Sequence, residues 1–149
     1  MKSGKVIAVC RSDTKGVSKD VVPEGQFCEG FGMVTDAHAD FKTHRQVSLL
    51  ATESIDKMRK LGLNLGPGAF AENLTTEGID VASLPIGTKV AVGKEVVLEI
   101  SQIGKECHAG CAIMRQVGMC IMPKEGVFAR VVTGGKITAG DKIKVIDKT

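Results

Sequence analysis

The sequence predicts a mainly β, barrel-like single domain spanning residues 1–149, with a few helices. Three observations carry this. Short β-branched runs recur along the chain, turn-forming residues separate several of them, and the apolar complement is almost wholly aliphatic, with no Trp or Tyr and five Phe. A length of 149 residues suits one domain with a core of its own, and 43% apolar with 25% charged residues is ordinary for a soluble globular protein.

The first strand is read at residues 5–9, with Cys10 directly after it as a structural thiol. The second is read at 46–50. A helix follows: Thr52 caps it, Ile55, Met58 and Leu61 space an apolar face, and Gly62 ends it. Lys57, Arg59 and Lys60 suit the negative end of its dipole. Strands at 89–92 and 96–100 flank Gly93-Lys94, read as a two-residue hairpin turn. A second, shorter helix fits 109–116. Strands at 127–132 and 142–146 close the chain, with Gly134-Gly135 marking a turn between them. Residues 86–92 and 139–145 resemble each other as a turn feeding a strand, a match too short to be a structural repeat.

Chemistry concentrates in residues 104–132, which read GKECHAGCAIMRQVGMCIMPKEGVFARVV. This stretch holds Cys107, Cys111 and Cys120 of the five cysteines, and His108 of the three histidines. Cys107 follows a strand, in a Gly-flanked loop, with the cation Lys105 two residues before it. Positive charge favours the thiolate, which attacks sulfur and binds metals. Three readings stay open: a reactive or metal-ligating thiol, a metal site closed by Cys107, His108, Cys111 and Cys120, or plain burial. The spacing lacks the two close ligand pairs of structural zinc, which disfavours zinc and iron–sulfur clusters.

Two further segments are dense in polar groups. Residues 36–50 carry His38, Lys42, His44 and Arg45 ahead of a strand. They suit either an anion-binding lip, with Arg45 or Lys42 meeting a phosphate or carboxylate, or a solvated loop. Asp36, His38 and Asp40 form a weak metal set. In residues 66–78, Gly66, Pro67 and Gly68 make a tight turn before Asn73, Thr75 and Thr76, and backbone amides in such a loop can cradle an anion. The glycine patterns of P-loops and dinucleotide-binding folds are absent. The net charge of +3 has no basic block, and stacking aromatics are few, so no nucleic-acid partner is expected. The absence of a signal-like or membrane-length apolar run, with an odd cysteine count, points to a cytoplasmic protein with reduced thiols and no membrane partner. Cys28 receives no assignment.

Taken in order, H-R-Q-V-S-L-L, G-A-F-A-E-N-L-T-T-E-G-I-D, L-x-I-G before a strand, a cysteine after V-L-E-I-S, and E-G-V-F-A-R-V-V-T-G-G-K-I-T-A-G-D resemble the MOSC domain. That domain ends molybdenum cofactor sulfurases and also occurs as a stand-alone protein. The resemblance implies a β-barrel-like fold, binding of the pterin-based molybdenum cofactor (molybdopterin), and a cysteine that carries sulfur or ligates molybdenum. Cys107 matches that cysteine. His44 and Arg45 match the H-R pair and Asn73 the Asn of F-x-x-N. With Thr75 and Lys105 they form the expected cofactor-binding set. Glu106 stands where many members have Pro, and its carboxylate opposes Lys105 in activating the thiol. Cys111, Cys120 and His108 fall outside the family motif, as resolving thiols, metal ligands or packed side chains.

The resemblance implies binding of the cofactor or its precursor and sulfur transfer through Cys107. The chain contains no pyridoxal phosphate-dependent part, so sulfur would come from a cysteine desulfurase or from cofactor-biosynthesis proteins. One alternative is a molybdenum-dependent reductase of N-hydroxylated compounds. Another is a non-catalytic Cys/His metal-binding module. As an enzyme it would be a sulfur transferase or a molybdenum-dependent oxidoreductase.

Overall fold

The computed structural model describes residues 3–14, 17–62, 65–104 and 125–147. Strand β1 (Ser3–Arg11) opens the chain, followed by the short strands β2 (Asp20–Val22), β3 (Glu24–Cys28) and β4 (Gly32–Met33). Then come β5 (Val47–Ala51), helix α1 (Thr52–Arg59), β6 (Leu74–Glu77), β7 (Lys89–Val92), β8 (Val96–Ile103), β9 (Val127–Thr133), β10 (Gly135–Thr138) and β11 (Lys142–Asp147). Seven strands in the order β11-β7-β8-β9-β5-β6-β1 form a barrel, closed where β1 pairs antiparallel with β11. The predicted β-barrel architecture is therefore present. Strand β2 extends the sheet beyond β1, and β10-β3-β4 make a second sheet.

The barrel interior is the aliphatic core that the composition required. Val6, Val9, Val47, Leu49, Leu74, Val90, Leu98, Ile100, Ala129, Val131 and Ile143 are all buried there, and Phe27, Met33 and Ile137 of the second sheet join the same cluster. A second cluster, Leu50, Ile55, Met58, Phe70, Ala71 and Phe128, lies on the outer face of β5 and β9. This explains why β5 is buried at every position. One face lines the barrel and the other is roofed by α1 and the 65–71 loop, so simple alternation disappears. The same cover allows β5 and β6 to run parallel, since parallel neighbours need a long crossover, here α1 and the loop after it.

Several local expectations need correction. Ala51, in extended backbone, is the N-cap of α1 and no side chain bonds there, so Thr52 is the first helical residue. Ile55 and Met58 do face the core, but Leu61 lies past the C-cap and is 65% exposed. Between paired Val92 and Val96 the hairpin loop holds three residues, with Gly93 left-handed. Gly134-Gly135 does not close a hairpin but passes the chain from the barrel to the second sheet. A Cβ on Gly134 would meet Phe27 O at 2.6 Å, and one on Gly135 would meet Glu95 Cβ at the same distance. The short strands β2, β3, β4, β6 and β10 were not predicted. The helix expected at 109–116 lies outside the described residues.

A buried ion pair pins the polar loops to the barrel. Lys19 Nζ donates to Asp36 Oδ1 at 2.8 Å, with both side chains fully buried, and Ser12 N and His38 N donate to the same carboxylate. Burial alone would raise the Asp36 pKa, but its contacts with His38, Lys19 and Asn73 outweigh it and hold the carboxyl well below the usual range. The folded-state value lies below the unfolded one. This contribution to stability is therefore present above about pH 4 and lost as the pH falls further. Removing one partner strands a charge. Lys19→Met should therefore cost about 3–5 kcal/mol in urea unfolding, and Lys19→Met/Asp36→Leu should cost clearly less than that. A double variant no more stable than the single would show that the pair has no such coupling.

Candidate functional site

The H-R pair and the end of β8 converge on one side chain. His44 Nε2 lies 2.6 Å from Gln102 Oε1, and Arg45 Nε donates to that oxygen at 3.0 Å. Gln102 Nε2 in turn donates to the carbonyl of Gly104 at 2.8 Å. The Arg45 guanidinium rides over the Phe128 ring, 5.3 Å from its centroid, a cation–π contact that leaves its edge toward solvent. Arg45 is exposed and His44 half-buried. A β-bulge makes this possible. Ile100 pairs with Ala129 and Gln102 with Phe128, so Ser101 is an extra residue in β8. In a regular strand Gln102 would share the inward face of Ile100, whereas the bulge turns it outward beside Phe128. Ser101 Oγ donates to the carbonyl of His44, fastening the loop to the bulge.

Gln46, the third residue of H-R-Q, organises this loop from beneath. Its carboxamide donates to the carbonyls of Gly30 and Thr43 and accepts from Val131 N. It is a structural residue that the sequence reading passed over, as it did Gln102 and Phe128. The motif H-R-Q contains Gln46, whereas no linear signal marks Gln102 or Phe128.

Asn73 and Thr75 occupy a different kind of position. Both are fully buried. Asn73 Oδ1 accepts from Ser48 N at 2.9 Å and Ser48 Oγ at 3.2 Å, Asn73 N donates to Ser48 O at 2.9 Å, and Asn73 Nδ2 donates to Cys10 O at 3.2 Å. Thr75 Oγ1 donates to Glu72 Oε2 at 2.7 Å. Gln102, Phe128 and Ser48 are register partners across β8, β9 and β5, and Asn73 bonds Ser48, so Asn73 continues the row that starts at the lip. It acts there as a brace for three strands.

The 66–72 loop does cradle a carboxyl group, and it is the loop's own. Glu72 accepts from Gly68 N at 2.9 Å and Phe70 N at 3.2 Å as well as from Thr75. Burial pushes the Glu72 carboxyl up, against the downward pull of these donors. Gly68 holds φ +84°, with its α-carbon facing Lys19 O and Cys10 Sγ, where a side chain has no room. The other polar loop gives no metal set. Asp36 is committed to Lys19, His38 Nδ1 lies 3.0 Å from Lys19 Nζ, and no group of three metal-ligating side chains occurs among the described residues. Lys42 is exposed, and its backbone N–H donates to Asp40 Oδ1 at 2.8 Å. Lys105, Cys107, His108, Cys111 and Cys120 lie outside the described residues. On either side of that segment, Gly104 N donates to Gly126 O at 2.6 Å, joining the end of β8 to the approach to β9.

A sequence model of the MOSC domain matches residues 36–144, which include the lip, the brace and the whole intervening segment. The chain belongs to the MOSC domain family. That family is associated with the molybdenum cofactor, so the role of this MOSC domain is a molybdenum-cofactor-related one. Among solved structures it is similar to the YuaD protein of Bacillus subtilis, at 18% identity, TM-score 0.82, covering 96% of this chain and 95% of that one. It is also similar to YiiM of Geobacillus stearothermophilus, at 18% identity, TM-score 0.71, covering 97% and 75%. YiiM of Escherichia coli follows at 17% identity, TM-score 0.68, covering 97% and 71%. At these identities the likenesses establish the fold. No curated protein matches.

The donor set can be tested against an anionic, pterin-based cofactor. Arg45 fits. Among the described residues its terminal nitrogens make no hydrogen bond, and a planar fork at the surface suits phosphate. His44 fits through its remaining ring nitrogen. Asn73 and Thr75 do not offer donors as they stand, because their polar atoms are buried and engaged within the fold.

The two described cysteines differ sharply. Cys10 is buried, and burial, with the Glu72 carboxylate adding to it, pushes its thiol up to about 12. Cys28 is exposed. Brief alkylation of the native reduced protein, mapped by mass, should label Cys28 and leave Cys10 unmodified until the protein is denatured. Native labelling of Cys10 would contradict its placement in the outer core.

Proposed function

We propose that this MOSC domain binds molybdenum cofactor or its precursor at the His44–Arg45 lip and handles sulfur through Cys107. One observation carries the reading. The two motif residues expected to meet an anion converge on Gln102, on the strand that leads into the cysteine-bearing segment. Arg45, with Lys105, would neutralise the phosphate of the pterin, and His44 would add a directional hydrogen bond. When bound, the cofactor supplies a molybdenum centre that takes sulfur ligands. The chain's own chemistry is thiol exchange. The Cys107 thiolate attacks the outer sulfur of a donor persulfide, forms a new S–S bond and releases the donor's cysteine thiolate, and the persulfide then passes its outer sulfur to an acceptor by the same step. The donor would be a cysteine desulfurase or a protein of cofactor biosynthesis, in the cytoplasm. Glu53, Lys57 and Glu125 border a separate cleft of about 350 Å³ at the start of α1, to which this reading assigns no role.

Expression in a host that makes the cofactor, followed by metal and pterin analysis, tests the reading. The wild type should carry molybdenum and pterin, and Arg45→Ala should weaken pterin binding roughly ten- to a hundredfold, the worth of a hydrogen bond to a charged group. Cys107→Ser should keep the pterin but accept no sulfur from a desulfurase. Zinc or iron without pterin would overturn the proposal.

A further inference from the structure

Two of the three groups bonded to the Gln102 side chain have fixed roles. The carbonyl of Gly104 can only accept, so the atom facing it is the amide nitrogen, at 2.8 Å. Arg45 Nε can only donate, so the atom facing it is the amide oxygen. That oxygen also faces His44 Nε2 at 2.6 Å, and an oxygen accepts. His44 Nε2 therefore carries the proton. In a neutral imidazole one nitrogen donates and the other accepts, which leaves Nδ1 as an acceptor. Among the described residues no group bonds His44 Nδ1 or the terminal nitrogens of Arg45.

We propose that Gln102 is a positioning residue that locks His44 in the Nε2–H form, so that the lip selects an anion carrying an O–H or N–H donor beside its charge. The charge meets Arg45, and the donor meets His44 Nδ1. This rests on reading the lip as the anion site, and it adds a selection rule to that reading. The backbone is shaped to the same end. The bulge at Ser101 brings Gln102 to the outer face, and Ser101 Oγ holds the His44 carbonyl, so ring and main chain are both fastened. An anion of equal charge and shape without a donor would set its lone pairs against that of Nδ1, and a site built around a hydrogen bond rejects such a ligand.

Two tetrahedral dianions separate these cases: hydrogenphosphate has an O–H donor and sulfate has none. With only three histidines in the chain, ring nitrogen–proton correlation spectra of the labelled protein resolve each one, and His44→Asn identifies the signal. At a pH where the rings are neutral, His44 should show the Nε2–H pattern. Gln102→Leu should mix the two tautomers, while Gln102→Glu, which accepts in the same way, should retain Nε2–H. Followed at His44, hydrogenphosphate should bind about tenfold more tightly than sulfate in the wild type, with the ratio falling toward one in Gln102→Leu. A wild-type Nδ1–H form, an unchanged tautomer in Gln102→Leu, or equal affinity for the two anions overturns the inference. Equal affinities with pterin still lost in Arg45→Ala would leave the cofactor reading standing. Absence of both pterin and anion binding would sink the two together.

Discussion

The parallel pairing of β5 with β6 is the constraint on which the rest of this molecule depends. Every other pairing among the described residues of the barrel is antiparallel, whereas this one needs a crossover, which α1 and the 65–73 stretch supply. Asn73 fixes where it lands. Its carboxamide oxygen takes the Ser48 backbone and hydroxyl on β5, and its amide reaches Cys10 on β1. One side chain thus registers three strands in a water-free position, where an unmet polar group would cost far more than a surface one. Moved by one residue, β6 would turn Leu74 out of the barrel and Thr75 into it.

With the interior filled mainly by aliphatic side chains, most of the polar chemistry is pushed to the outer face. There it divides into two zones. Beneath the 66–72 loop the polar groups answer one another: Glu72 fills the loop's own amide nest, Thr75 completes it, and Cys10 lies against them, dry and unreactive. At the other end of the same face the side chains of Arg45 and His44 each make one hydrogen bond among the described residues and keep donors or acceptors in hand. The two buried carboxylates also oppose each other in their response to pH. Asp36, held low, gives up its contribution as the solution turns acid, while Glu72, raised by burial, loses stability as the pH climbs above the unfolded carboxylate range.

Six barrel strands were legible because Val and Ile cluster in them, and the apolar spacing of Ile55 and Met58 gave the helix. β6 was hidden because two of its three buried residues are Thr75 and Thr76, polar types that composition assigns to a loop. The strands of the second sheet are short and rich in Gly, Glu and Gln, which read as turns. For the site, the order of motifs marked His44 and Arg45, and the structure places them together. It marked Asn73 and Thr75 on the same grounds, and only three-dimensional bonding reveals that these are engaged within the fold. Gln102 was not legible at all, since nothing in a linear sequence announces the bulge that turns it outward. The assignment of Cys107 rests on the family motif.

The barrel is closed by its first and last strands, with Ser3 opposite Lys144 and Lys5 opposite Lys142. These are among the most distant partners in sequence that the fold contains, and they dictate an order of events. As the chain is synthesised, β1 can gain β2 at Val9–Arg11 and β6 midway, but its Ser3–Lys5 end stays open on one edge until β11 has emerged. Ring closure joins strands at opposite ends of the described barrel and is a high-contact-order contact of the intrinsically slow kind. Through that interval the cell holds an open sheet with an unpaired rim, the form most prone to pair with a neighbour.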